Sequence, residues 1–416
     1  MFSSEPSSPG RHRSRRTLSP LRCYSLRAAD TLASTTVETA VPLIVLRTTG
    51  SAAWSGASFA AEWILRLAAI PQAGVLVDRV GAGAVYRAAG ALRTLFGCSV
   101  VAALTVSPAA WWAAVIFGIA SGVLCETTYI AAEQLGAGLA ESAPERLSRV
   151  QAVQVVIDES TRMAGPLLAS LLLLLGTAAP IGAITLLSAA AALLAWPIRF
   201  GATRGRQEGG QEAHHRLREM ARGARIVRDS PVLRRVTVLY SASNLLYALM
   251  IVATPPILIH RFGCSEAAIG GVWAAGFCLS VAGVAPARAA LERYGPARTG
   301  AIAFTALFLA GLAAGVSNTL VLRLLCTVLV LGTLGAVQLL LRTVRSAATP
   351  SDAYGTATAA VVLAGLMPNA AAGLLVAAAP GHLSILIIAA ALLAGAADAA
   401  ALRGLTRTTV PILEPQ

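Results

Sequence analysis

From residue 24 to residue 402 the chain alternates long apolar runs with short polar punctuation. The runs fall at roughly 24–46, 53–76, 84–106, 109–138, 150–175 and 180–199, then 233–259, 266–288, 297–316, 320–342, 355–378 and 382–402. About 20 apolar residues carry a helix across the hydrocarbon core, so the pattern predicts twelve membrane-spanning helices and an all-α membrane protein. Turn-forming residues separate the runs, as at Ser107-Pro108, Gly176 to Pro180, Gly295-Pro296 and Pro380-Gly381. Residues 1–21 read as a disordered Ser/Pro/Arg-rich tail and 404–416 as a second short one. The apolar run after the first tail is too long for the core of a signal peptide and lacks a clear cleavage site. The longest interruption, 200–232, divides the spans into six-helix halves at 22–199 and 233–403. Within it, His214 to Arg228 reads as a basic amphipathic helix with Leu217, Met220, Ala224 and Val227 on one face. Such a helix suits a surface of anionic headgroups and would tie the halves together.

Charge supplies an orientation. All 33 basic residues are arginine. With the N-terminus inside, 28 of them fall in cytoplasmic segments, among them Arg27 with the tail and Arg79, Arg87 and Arg93 with the first loop. Arg47, Arg261 and Arg323 are assigned to outside loops, and Arg66 and Arg162 lie within spans. The positive-inside rule then places both termini in the cytoplasm of a plasma-membrane protein. Arginines distributed in this way report topology and not nucleic-acid binding, despite the net charge of +13. Composition agrees, since 56% hydrophobic and 13% charged residues leave too little charge for a soluble chain. The mean hydropathy of +0.69 points the same way. Six scattered cysteines suggest neither a disulfide framework nor a metal site. No phosphate-binding loop, HExxH helix or nucleophile elbow is found, so no enzyme activity, cofactor or direct ATP use is expected.

Charges inside spans are costly, roughly 2.5–3.5 kcal/mol each at mid-helix, and therefore mark cavities or partners. The candidates are Asp30, Glu38, Glu62, Arg66, Glu126, Asp158, Glu159 and Arg162. Glu62 and Arg66 are four apart in the favourable order for an intrahelical pair, and Arg162 lies within reach of Asp158 and Glu159. Glu38 and Glu126 have no basic residue within a turn of their own helices. Asp30, Ser34 and Glu38 sweep one polar stripe along the first span, suited to a water-filled path. Glu38, then Asp30 and Glu126, are the expected proton carriers. Trp54, Trp111, Trp112 and Trp273 fit an interfacial belt, Trp63 a packing role, and His260 and His382 the outer surface.

The loop after span two reads Gly74-Val-Leu-Val-Asp78-Arg79-Val-Gly81, and a degenerate copy follows span eight around Arg288, Arg293 and Gly295. This resembles the GxxxDRxG signature of the major facilitator superfamily. The run from Pro42 to Ser51, the fifth-span Arg162-Met-Ala-Gly165-Pro166 and the linker segment Asp229 to Leu233 resemble the drug:proton antiporter subgroup that includes macrolide-efflux and enterobactin-exporter proteins. Ser170 and Leu171 depart from the full fifth-helix motif. The resemblance covers nearly all the chain after the tail and implies the major facilitator fold, twelve helices in two halves. It implies that Asp78 and Arg79 latch a cytoplasmic gate, with Glu133 as a partner for Arg79. The expected function is proton-coupled export of an amphipathic small molecule by a monomer in the bilayer. The alternatives are a proton-coupled uptake symporter and a non-transporting scaffold or sensor.

Overall fold

The computed structural model describes residues 19–107, 109–140, 147–198, 221–349 and 354–405. Its membrane helices are α1 (Pro20–Thr49), α2 (Ala52–Val80), α3 (Ala82–Val106), α4 (Trp111–Ala140), α5 (Leu147–Leu173) and α6 (Ala178–Ala195). After the linker come α7 (Pro231–Phe262), then the continuous Glu266–Val316, which bends at Gly295 into α8 (266–294) and α9 (296–316). Next is α10 (320–348), which runs through Leu320–Gly332 and Leu334–Ala348 with Thr333 between them. A 3-10 turn, Pro380–His382, separates α11 (Tyr354–Ala378) from α12 (Leu383–Leu405).

Nine helices among the described residues are long and apolar enough to cross a membrane, and one of them, Glu266–Val316, covers two crossings. The remaining two of the twelve are α2 and α5, whose apolar runs are interrupted by Glu62 and Arg66 and by Asp158, Glu159 and Arg162. Residues 221–229 are helical, and Val227 packs against the bundle, so the apolar face of the linker helix meets protein. The start of that helix, from His214, lies outside the described residues.

The halves repeat at the level of turns. Gly50 ends α1 and Gly263 ends α7, both left-handed at φ 64° and 65°. Ser51 and Ser265 then cap the following helices by accepting the amides of Trp54 and Ala268. Gly81 between α2 and α3 has φ 85°, and Gly295 between α8 and α9 has φ 77°. A side chain at either would be strained, which explains glycine at matching places in the signature and its copy.

With six antiparallel crossings in each half, the chain termini share one end of the bundle, here the termini end. The opposite, far end is where the halves are sewn together. There α2 meets α11 backbone to backbone: a Cβ on Gly56 would stand 2.8 Å from Ala377 N and Gly373 O. The second seam joins α5 to α8, where Gly270 lies against Ser170 and Leu167. Arg47, in the last turn of α1, donates to the Leu173 carbonyl and lies 3.7 Å from Glu266 at the start of α8.

Candidate functional site

The site grows out of α1. Its residues 27, 30, 34 and 38 step by three or four, so they lie along one face of the helix. Each step meets a different neighbour. Arg27 pairs with Asp158 on α5 through two hydrogen bonds of 2.8 and 2.7 Å. Asp30 accepts from Arg93 on α3 at 3.0 Å. Ser34 accepts from Cys125 Sγ on α4 at 2.7 Å. Glu38 lies 3.6 Å from Arg66 on α2, and Arg66 also reaches Glu126 on α4 at 3.1 Å. The first half thus has a polar spine running from the termini end to mid-membrane.

Several expectations are corrected by this geometry. The stripe on α1 does not face a continuous water path: Asp30 is buried against Arg93, and of the stripe only Glu38 lines the cleft between the halves. Glu38 and Glu126 are not unpaired; they share the Arg66 guanidinium. The intrahelical Glu62–Arg66 pair does not form, because Arg66 turns to carboxylates on α1 and α4 and stacks on Trp63 at 4.7 Å. Likewise Asp158 is taken by Arg27, leaving Arg162 a 3.6 Å contact with Glu159 alone. Arg27 and Arg93, assigned to cytoplasmic segments, lie inside α1 and α3. Arg93 and Arg323 are fully buried, Arg323 a turn into α10 where it donates to Ser384. Trp273 is buried at the inter-half cleft and does not belong to an interfacial belt, whereas Trp54 and Trp112 are exposed.

Glu62 is the least satisfied member of the group. It is 1% exposed, and neither carboxylate oxygen has a hydrogen-bond partner. Its stem packs on Gly122 of α4, where a Cβ would come within 3.0 Å of Glu62 Cγ. Ser121 Oγ and Trp63 Nε1 are also buried and unpartnered. Three carboxylates and one guanidinium thus form a cluster among α1, α2 and α4. A small cavity opens beside it, walled by Glu38, Phe59 and Pro42 from the first half and by Ile251, Pro255 and Trp273 from the second.

The fifth-helix motif is used for packing. Gly165 lies on Thr35 of α1, whose hydroxyl donates to the Thr161 carbonyl at 2.9 Å. Pro166 is buried one residue on. The second half repeats the seam: Gly365 of α11 lies on Tyr240 of α7, and Asn244 donates to the Gly365 carbonyl at 2.7 Å. Of the gate signature, Gly81 makes the predicted turn and Arg79 is exposed at the end of α2. The surroundings of Gly74 and the side chains of Asp78 and Glu133 lie outside the described residues.

Sequence reasoning missed Asp398 on α12, which is 4% exposed with both oxygens unpartnered. An acid within an apolar run was the available signal. Among the described residues no group of three or more His, Cys, Asp or Glu side chains is arranged to hold a metal ion.

Twelve antiparallel helices in two repeated halves, with a polar cluster beside the cleft between them, define a multi-pass membrane transporter. The sequence profile of the Major Facilitator Superfamily matches residues 24–372, and the chain belongs to that family. No curated protein matches it. Among solved structures it is similar to the nucleoside transporter NupG, with TM-score 0.71 and 12% identity, over 92% of this chain and 99% of that one. A bacterial homologue of the iron transporter ferroportin, in an inward-facing state, gives 0.66 and 16% over 92% and 98%. A bacterial homologue of the human lysosomal transporter Spinster, inward-facing and unoccupied, gives 0.68 and 12% over 94% and 98%. At these identities the likeness is one of fold.

Proposed function

We propose that the protein is a proton-coupled secondary transporter that exports an amphipathic small molecule across the plasma membrane by alternating access. Its termini end would face the cytoplasm. The observation that carries this reading is the gathering of Glu38, Glu62 and Glu126 about Arg66 at mid-membrane, the one cation in direct contact with the cluster among the described residues, with Glu38 open to the inter-half cleft. One guanidinium balances one carboxylate. Further negative charge held away from water in the hydrocarbon would cost several kcal/mol, so the remaining carboxylates favour protons while the cluster is closed to water and can give them up when it opens. Glu38 is its outlet, because it alone of the three lines the cleft. Opening the cleft toward the outside admits protons to Glu38, and opening it toward the cytoplasm releases them as cargo is loaded. Asp30, held by Arg93, serves the frame of the bundle in this scheme and not the proton path. The Gly81 turn and the Arg79 surface belong to the cytoplasmic gate that the family signature implies.

The experiment is a proton-flux assay in everted vesicles with a panel of fluorescent amphipaths. An acid interior is established, and each compound is scored by the collapse of the pH gradient it causes. Vesicles carrying the wild-type protein should lose the gradient on addition of a transported compound. Vesicles carrying Glu38→Gln at equal expression should hold it. Gradient collapse unaffected by Glu38→Gln removes Glu38 from the coupling. Uptake driven into right-side-out vesicles would reverse the direction and make the protein a symporter.

A further inference from the structure

Arg27, Arg66, Arg93 and Arg162 of the first half lie well inside its membrane helices, and the first three are engaged. Arg27 is clamped by both oxygens of Asp158, Arg93 holds Asp30, and Arg66 sits between Glu38 and Glu126. Their side chains are at most 8% exposed. Arg162 differs on each count. Its side chain is 40% exposed, its one ionic contact is Glu159 at 3.6 Å, and that is too long for a hydrogen bond.

The direction of that exposure separates lipid from cleft. One face of α5 is committed to α1 through Thr161 and Gly165, and another to α8 through Leu167 and Ser170. Among the described residues, the titratable groups that act on Arg162 include Glu159 and Asp158 on its own helix, Glu38 on α1, and Tyr240 on α7 of the other half. With α5 docked on α1 of its own half and on α8 of the other, a partly exposed guanidinium that is close to both Glu38 and Tyr240 is placed in the gap between the halves and not against the acyl chains. It is near the middle of the 27-residue α5, where a charge facing lipid would be expensive. The gap therefore holds a planar cation with an open fork of N–H donors, within electrostatic range of Glu38, which itself lines a cavity with Phe59, Pro255 and Trp273.

We infer that Arg162 anchors the cargo, and that the cargo is an amphipath bearing a carboxylate. A guanidinium fork matches a carboxylate with two parallel hydrogen bonds, and the geometry discriminates against a neutral amide. The apolar body would extend past Glu38 toward Phe59 and Trp273. Glu159 holds the guanidinium loosely in the empty site and gives way to the incoming carboxylate. This inference rests on the transporter reading for the existence of a cargo, but not on protons or on the direction of transport.

The test is equilibrium binding to the purified protein in nanodiscs, with no gradient present. The probes are dansylglycine and dansylglycinamide, which share a fluorophore and differ in the acid group. Energy transfer from tryptophan to the dansyl group, displaceable by excess unlabelled probe, reports occupancy. Wild-type protein should bind dansylglycine saturably and about tenfold or more tightly than the amide, the scale of one charge-assisted hydrogen bond. Arg162→Gln should abolish the preference while leaving amide binding unchanged, which also verifies folding, and Arg162→Lys should retain part of it. Glu159→Gln should tighten dansylglycine several-fold and leave the amide alone. Equal binding of the two probes, absence of saturable dansylglycine binding, or a preference that survives Arg162→Gln would overturn the inference. A preserved preference for the acid together with failed gradient-driven transport would count against the coupling reading alone.

Discussion

Helix α1 engages four other helices through Arg27, Asp30, Ser34 and Glu38, whereas α7, its counterpart in the second half, carries no charge between residues 236 and 258. What α7 turns inward is Asn244 and Tyr247, which donate to or exchange hydrogen bonds with Gly365 and Thr333. Among the described residues, the buried charged side chains of the second half are Arg323 and Asp398, on different helices and toward opposite ends of their spans. Yet the frame is common to both halves, in the turns at Gly50 and Gly263, the turns at Gly81 and Gly295, and the glycine seams at Gly165 and Gly365. Backbone features therefore follow the repeat, while the clustered, ion-paired side chains among the described residues belong to one copy. A moving interface needs two similar rigid bodies, but a proton site needs only one of them to carry charge.

The sharpest way to break this asymmetry is to remove the cation on which the first half depends. Arg66→Met leaves Glu38, Glu62 and Glu126 without the one cation that contacts them directly. The expected loss is about 3–5 kcal/mol, enough to unfold a marginal bundle. The midpoint of SDS-induced unfolding measures it. Neutralising the partners as well, in Arg66→Met with Glu38→Gln and Glu126→Gln, should restore most of the stability without restoring transport. If the single variant unfolds at the wild-type midpoint, the cluster is not an ionic assembly and the contrast between the halves loses its basis.

The shared frame can be tested by parallel substitutions. A Cβ at Gly165 would collide with Thr35, including its backbone carbonyl carbon, and one at Gly365 with the ring of Tyr240. Gly165→Ala and Gly365→Ala should each cost about 1–3 kcal/mol in the same unfolding assay, the range for overpacking a close helix contact. Comparable losses would support one seam used twice. A large effect at Gly165 with none at Gly365 would mean that the tyrosine ring swings aside and that the seams differ in rigidity.

Much of this frame was legible before any coordinates. Hydropathy located the spans because lipid imposes a length on every helix, and the loop glycines were legible because tight turns restrict residue type. The site was legible only as a set of residues. Intrahelical spacing pairs Glu62 with Arg66 and Asp158 with Arg162, and both pairings lose to partners brought in from other helices. An i,i+4 pair is favoured by a few tenths of a kcal/mol, far less than a buried carboxylate gains from a well-placed guanidinium, so tertiary packing decides. Arg93 was assigned to a loop because arginines near span ends usually are, and only packing of α3 against α1 and α4 places it in the core. Trp273 reads as an interfacial tryptophan by its position near a helix start, yet α8 turns it inward to the cleft.

The smallest expected effect concerns the far end, where the halves meet without the polar spine. Arg47 closes α1 and Glu266 opens α8, so each is stabilised by the dipole of its own helix even when they are apart. Their contact is 3.7 Å long, with side chains 38% and 20% exposed, and pairs of that kind contribute at most about 1 kcal/mol. Arg47→Gln should therefore leave the unfolding midpoint nearly unchanged. The same energy matters more in an equilibrium between two folded states, because a state open at the far end must separate α1 from α8. Losing up to about 1 kcal/mol from the closed state alone multiplies the far-end-open population by up to about fivefold. Thr39 lines the cleft below this contact. Labelling of Thr39→Cys by a membrane-impermeant maleimide applied from the far side should speed up by that factor when Arg47→Gln is added. An unchanged labelling rate would make Arg47–Glu266 a static surface contact, and would leave closure of the far end to the seams at Gly56 and Gly270, which carry no charge.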